Sequence, residues 1–210
     1  MLVRSFGVTA GVAVCVAVLA VADAGNRIDV VPLPDAQVVS PPLSRAACQL
    51  SNYTGPASYY SGAWATGNRY VDLHNPEDCS ADPAVPFEIT SVDFSLHDPG
   101  GSVWPCSVTV VVYDAYYNLT PDTCWYPGAE LCRQYVVCDQ ATFQYPNMGN
   151  MEFAEDCCVN GRFFIGLEYT GTGVGPWPSL IWDNGTVDSC YAWFYLGDQW
   201  VEQWVDRCLI

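Results

Sequence analysis

The sequence predicts an all-β fold, a disulfide-rich β-sandwich or jelly roll, behind a signal peptide and a Pro-rich N-terminal arm. Three observations carry that prediction. The stretch Cys106-Ser-Val-Thr-Val-Val-Val-Tyr-Asp114 alternates, with Val108, Val110 and Val112 on one face and Ser107, Thr109, Val111 and Tyr113 on the other. That is the period-two pattern of a half-buried strand. A second run, Arg162 to Thr170, has the same character, and the two are expected as inner strands of one core. The cysteines are the third observation. Of 11, Cys15 falls in the leader, which leaves Cys48, Cys79, Cys106, Cys124, Cys132, Cys138, Cys157, Cys158, Cys190 and Cys208. An even set behind a secretory leader implies disulfides, with connectivity open.

Residues 1–24 read as a signal peptide. Arg4 supplies the positive end, Phe6 to Ala22 is apolar, and Ala22-Asp-Ala24 offers small residues for cleavage. No stable membrane span is expected after cleavage. Residues 25–47 form an arm or linker in which Pro32, Pro34, Pro41 and Pro42 exclude a central strand or a helix. Ile28-Asp29-Val30-Val31 is the piece able to act as an edge strand, or as an assembly arm added to a neighbour's sheet. Residues 48–210 form the β domain, one domain by size.

Within that domain, 58–65 and 69–73 are expected as short strands, and 87–96 as a longer one. The apolar parity of the longer strand changes between Ile89 and Val92, which predicts a bulge. After Asp114 a loop is expected from Ala115 to Glu130, then a strand over 131–138. Phe143, Met151 and Phe153 mark further short strands, and Asn160-Gly161 a tight turn. Strands over 179–182, 190–196 and 200–205 close the chain. No segment of a dozen residues carries a helical period.

The formal charge is −16, from 23 acids against seven arginines, with no lysine. Such a surface repels nucleic acid and anionic membranes. No G-x-S-x-G is present, and only His74 and His97 could serve as an imidazole base. With no C-x-x-C and two histidines, zinc is not indicated. Glu168 is the carboxylate to consider for glycoside hydrolysis, with Asp183 near it and Glu152, Glu155 and Asp156 as another cluster. Asp183 and Asp188 flank a turn that would offer oxygens to calcium; no other cofactor is implied. Trp177, Trp200 and Trp204 belong to a late aromatic cluster that would suit a sugar platform, core or an interface. Asn52, Asn118 and Asn184 begin glycosylation sequons, all in expected loops. Adjacent Cys157 and Cys158 are expected to bond to two separate partners.

The strand ending Val112-Tyr113-Asp114, the following Pro127-Gly-Ala-Glu-Leu131, the strand Phe163 to Tyr169 and the late Trp182-Asp183 resemble a loose group of bacterial secreted β-sandwich surface modules. The resemblance covers roughly Pro86 onwards and implies the fold; it carries no catalytic residue across. This chain differs in its many cysteines, and it is expected to lack a sorting tail after Cys208. The expectation is a non-enzymatic extracellular protein, secreted or on the cell surface. Its partners would be copies of itself or other surface proteins, in a surface or filamentous assembly. The alternatives are a carbohydrate-binding module and a glycosidase using Glu168.

Overall fold

A computed structural model describes residues 30–32, 48–51, 57–61, 64–79, 86–119, 123–171, 176–183 and 190–202. The leader, the rest of the arm with Ile28 and Asp29, and Asn52, Asn184, Asp188, Trp204 and Cys208 lie outside the described residues.

The described chain is mostly strand. In order the elements are β1 (Val30–Pro32), β2 (Ala57–Ser61), β3 (Arg69–His74), β4 (Phe87–Phe94), β5 (Leu96–His97), β6 (Cys106–Asn118), β7 (Cys124–Cys138), α1 (Gln140–Phe143), β8 (Gly149–Val159), β9 (Phe163–Tyr169), β10 (Ser179–Asp183), β11 (Ala192–Leu196) and β12 (Gln199–Glu202). Six strands form one sheet in the order β12-β11-β3-β9-β6-β7. Four more form β1-β2-β10-β5, and β4 pairs with β8. At Ser95 the chain leaves the β4–β8 pair and joins β10 as β5, and the Ser95 hydroxyl donates to the Asn147 carbonyl at 2.7 Å. Among the described residues no helix is long and apolar enough to cross a membrane.

The two runs expected at the core are direct neighbours. Strand β6 pairs antiparallel with β9, Val108 opposite Tyr169 and Val112 opposite Ile165. The inward faces of the six-stranded sheet (Tyr70, Val108, Val110, Leu167, Tyr169, Phe194) pack on Phe94, Leu96, Phe143, Met151 and Leu180. Val108 and Val110 are fully buried, each contributing about 1.5–3 kcal/mol of burial. A second cluster joins Val112 and Phe163 to Ile89, Cys157 and Val159. The bulge expected in β4 is present as a register shift between Ile89 and Ser91.

Two expectations are corrected, the loop after Asp114 and the short strands at Phe143, Met151 and Phe153. Residues 115–130 are not a loop: β6 runs to Asn118 and β7 starts at Cys124, so one long hairpin replaces it. Ring pairs Tyr116–Tyr126 and Tyr117–Trp125 hold its distal end, and Pro127 is tolerated because β7 is an edge strand. Phe143 closes a single helical turn rather than a strand, because the Asp139 side chain caps it by accepting from the Thr142 N–H at 2.9 Å. Met151 and Phe153 share one 11-residue strand, β8. The Asn160-Gly161 turn after it carries the chain between sheets and makes no hairpin, since β8 pairs with β4 and β9 with β3 and β6.

Among the described residues three disulfides are closed, Cys48–Cys79, Cys124–Cys190 and Cys132–Cys157, with Cα separations of 5.6, 5.1 and 5.8 Å. Such bonds fit an oxidising compartment. Cys157 bonds to Cys132 and not to its neighbour Cys158, so no vicinal bridge forms.

Candidate functional site: the rolled outer face

The outward side chains of the six-stranded sheet follow from strand alternation. Arg69, Val71 and Leu73 of β3 share that face with Phe164, Gly166 and Glu168 of β9 and with Thr109, Val111 and Tyr113 of β6. Register places one residue from every strand in a single transverse row. Trp200 lies opposite Tyr195, Tyr195 opposite Arg69, Arg69 opposite Glu168, Glu168 opposite Thr109, and Thr109 opposite Tyr135.

The face is rolled. Strands β12 and β6 stand four places apart in the sheet, about 19 Å if it were flat. Yet the Trp200 and Tyr113 rings meet edge-on with centroids 5.3 Å apart. The distal part of the β6–β7 hairpin closes over the same side. Tyr126 packs on Trp193 at 4.5 Å, and the Trp193 indole N–H donates to the Trp125 carbonyl at 3.0 Å. The Cys124–Cys190 disulfide holds the hairpin there. Arg162 covers the Trp125 ring at 4.9 Å.

Charges in the roll are balanced in pairs. Arg69 Nε lies 3.2 Å from Glu168 Oε2, close enough for an ion pair although its N–H is not aimed for a hydrogen bond. Arg133 reaches the same oxygen at 3.4 Å and grips Glu130 with Nε and Nη2 at 2.6 and 2.8 Å. The Arg69 guanidinium also donates to the Tyr113 hydroxyl at 2.6 Å and covers the Tyr195 ring at 4.8 Å. Tyr113 in turn donates to Glu130 at 3.4 Å. Burial pushes the Tyr113 phenol well above its ordinary value, against the nearby Arg69 charge and with Glu130 and Glu168 adding to the rise. It therefore stays a neutral donor. Burial tends to raise Glu130, but the hydrogen bonds and charge of Arg133 outweigh it, and the net shift is downward.

This geometry bears directly on the carboxylates. A glycosidase acid needs a raised pKa, whereas Glu130 is shifted down and Glu168 is contacted by two guanidiniums. Asp183 ends β10, in the four-stranded sheet. Glu152, Glu155 and Asp156 sit exposed on β8.

The other expected site residues scatter. Trp200 lies in the roll, half-buried. Trp177 is half-buried against the inner core and against Gly171. Asn118 is not in a loop but ends β6 opposite Cys124. Val30 and Val31 pair with Ser61 and Tyr60 of this same chain, at the edge of the four-stranded sheet. Among the described residues one cluster offers three metal-ligating groups, Cys124, Cys190 and Glu202. Its sulfurs are bonded to each other, and Glu202 accepts from the Cys190 N–H at 2.6 Å, so those groups do not fit a metal. Sequence reasoning singled out Glu168 and Trp200 but missed Arg69, Glu130, Arg133, Tyr113 and Tyr195. The usable signal was arginine itself: three of the seven lie among the described residues, and each contacts this face.

No family model matches the sequence, and no curated protein or solved structure matches it either.

Proposed function

We propose that the protein is a secreted, non-catalytic β-sandwich that works by contact outside the cell, as a subunit of a surface or filamentous assembly. In this reading residues 1–24 are a cleaved signal peptide, and the four-stranded sheet with the β4–β8 pair forms the second layer of the sandwich. The observation that carries the proposal is the closed charge cluster in the roll. Its carboxylates are matched by guanidiniums, and its aromatic rings are occupied by Arg69 or by one another. Side chains so engaged suit a rigid scaffold better than turnover of a substrate. Contact surface is available elsewhere. Leu119 is 70% exposed at the hairpin tip, and Tyr135 and Val137 are more than half exposed on β7. The assembly arm would use the β1 position: the strand that pairs with its own β2 here would pair with a neighbour's β2 instead. Deleting residues 25–43 is expected to leave a folded monomer that no longer forms higher-order particles by electron microscopy and light scattering. If the trimmed protein assembles as the full chain does, the arm is not the connector.

A second reading, binding of glycans, is favoured by one observation, the transverse row from Trp200 to Tyr135. The half-buried Trp200 and Tyr195 and the exposed Tyr135 of that row would offer aromatic and hydroxyl groups to an uncharged sugar chain. Affinity electrophoresis in gels containing neutral or anionic polysaccharides tests it. Retardation in a neutral gel that Trp200→Ala abolishes would support this reading; unchanged mobility in every gel would reject it.

A further inference from the structure

Strand β7 carries three cysteines, and two are already bonded to different elements. Cys124 holds its first residue to Cys190, just before β11, and Cys132 holds its middle to Cys157 of β8. The third, Cys138, is its last residue. Directly opposite it in the ladder is Cys106, the first residue of β6. Alternation points both side chains into the inner core, where they are 0% and 1% exposed and belong to one cluster with Val108, Val110 and Tyr169. Opposed residues of an antiparallel pair hold their Cβ atoms about 4.5–5.5 Å apart, and their Cα atoms within the span a disulfide bridges. Both sulfurs are unbridged and buried in this structure, and the neighbouring Cys106 thiol together with burial pushes the Cys138 thiol far above its ordinary value.

We infer that Cys106 and Cys138 form a fourth, buried disulfide that closes the base of the β6–β7 hairpin, so that the edge strand β7 is stapled at its start, middle and end. The chemistry is thiol–disulfide exchange. The Cys106 and Cys138 thiols lose two protons and two electrons, one S–S bond forms between them, and the S–S bond of a small-molecule or protein disulfide is reduced to two thiols. Two alternatives are weaker. Buried cysteine often serves as a small apolar side chain, but that use does not call for two of them opposite each other in a chain whose neighbouring cysteines are bonded. A metal would need further ligands, and among the described residues no His, Asp or Glu forms a ligand cluster with this pair.

The placement has a consequence. Strand β7 is the outer strand of its sheet, and strand ends at sheet edges are where local opening starts. A bond at Cys138 ties the end of β7 to β6 just where the chain leaves for α1. Because neither sulfur is exposed, the bond has to form while the hairpin is still open, and afterwards reductant reaches it only through unfolding of the core.

The full chain, secreted or refolded with a glutathione redox pair, is denatured without reductant and treated with iodoacetamide. It is then digested and mapped by mass spectrometry. In molecules whose Cys124–Cys190 and Cys132–Cys157 links are intact, a peptide joining Cys106 to Cys138 is expected, about 2 Da lighter than the sum of its reduced halves. Finding both cysteines alkylated in those molecules, or either one joined to a different cysteine, overturns the inference. Melting of the variants supplies a second measurement. Cys106→Ala, Cys138→Ala and the double variant should lose similar amounts of melting temperature, because each breaks the same bond. Losses in the double variant that equal the sum of the singles would show that the two act as independent core residues.

Discussion

The Arg69–Glu168 pair sits at the centre of the roll, and Glu168→Ala should cost the protein about 3 kcal/mol. The two side chains are 15% and 12% exposed, so both are largely desolvated. Removing one partner of a buried pair costs about 3–5 kcal/mol, because the other charge is left uncompensated. Two features reduce that figure. Arg69 keeps the Tyr113 hydroxyl and the Tyr195 ring, the latter worth about 0.5–2 kcal/mol. The Arg133 contact adds little, because Arg133 is 48% exposed and exposed pairs are worth about 0–1 kcal/mol. Glu168→Gln keeps the shape and one acceptor and should lose less, about 2 kcal/mol. Arg69→Met should cost a similar amount to Glu168→Ala. The double variant Arg69→Met with Glu168→Ala should lose less than the two singles added, by at least about 1 kcal/mol of coupling. Urea unfolding of the oxidised protein, followed by tryptophan fluorescence, measures all four variants. With a slope of about 2 kcal/mol per molar, 3 kcal/mol moves the midpoint by about 1.5 M. A Glu168→Gln protein as stable as the parent, with singles that simply add, would refute the pairing. A Glu168→Gln protein that gains stability while losing a measurable hydrolytic activity would refute the scaffold reading as well, since catalytic groups are the ones whose removal stabilises.

Three other perturbations follow from the same structure. In Gly166→Ala the new methyl would overlap the Tyr70 carbonyl oxygen of the neighbouring strand; a backbone atom cannot give way, so a loss of about 3 kcal/mol or more is expected, read as reduced yield and melting temperature. Opening Cys124–Cys190, a link across 66 residues, with the double Ser variant should cost about 4 kcal/mol by chain entropy and change the Trp193 fluorescence as Tyr126 lifts away. Burial lowers His74 from 6.5 to about 4 where it stacks on Phe163, and His97 is also lowered by burial, with Asp98 opposing. The unfolded chain therefore binds these protons first, so this part of the stability is complete above pH 6.5 and is lost as pH falls towards 4; His74→Gln should flatten the melting temperature across that window.

Alternation made the central strands readable. Val108, Val110 and Val112 announce an inward face, although the half-buried strand expected from that alternation is covered on both faces, with Thr109, Val111 and Tyr113 also buried. The parity change in β4 announced its bulge for the same reason. The distal hairpin was hidden because tyrosine, proline and cysteine read as loop residues when taken locally. They become strand residues only when Tyr116 and Tyr117 meet Tyr126 and Trp125 across the hairpin, a pairing that local propensity does not encode. Phe143 was misread for a similar reason: four residues are too few to show a helical period, and the one local cue was the capping Asp139.

The roll was harder still, since it is a property of register between strands far apart in the chain. Arg69 and Glu168 are separated by nearly half the sequence, yet they are direct ladder partners. Glu168 drew attention as an acid inside an apolar strand, and two opposite inferences follow from such a residue. An isolated buried carboxylate is pushed toward the neutral form and becomes a general acid. A carboxylate met by guanidiniums is held by them as a structural partner. The arginines decide between them. In a chain with no lysine and seven arginines, Arg69 and Arg133 are committed to Glu168 and Glu130. The −16 surplus of the whole chain discourages anionic partners.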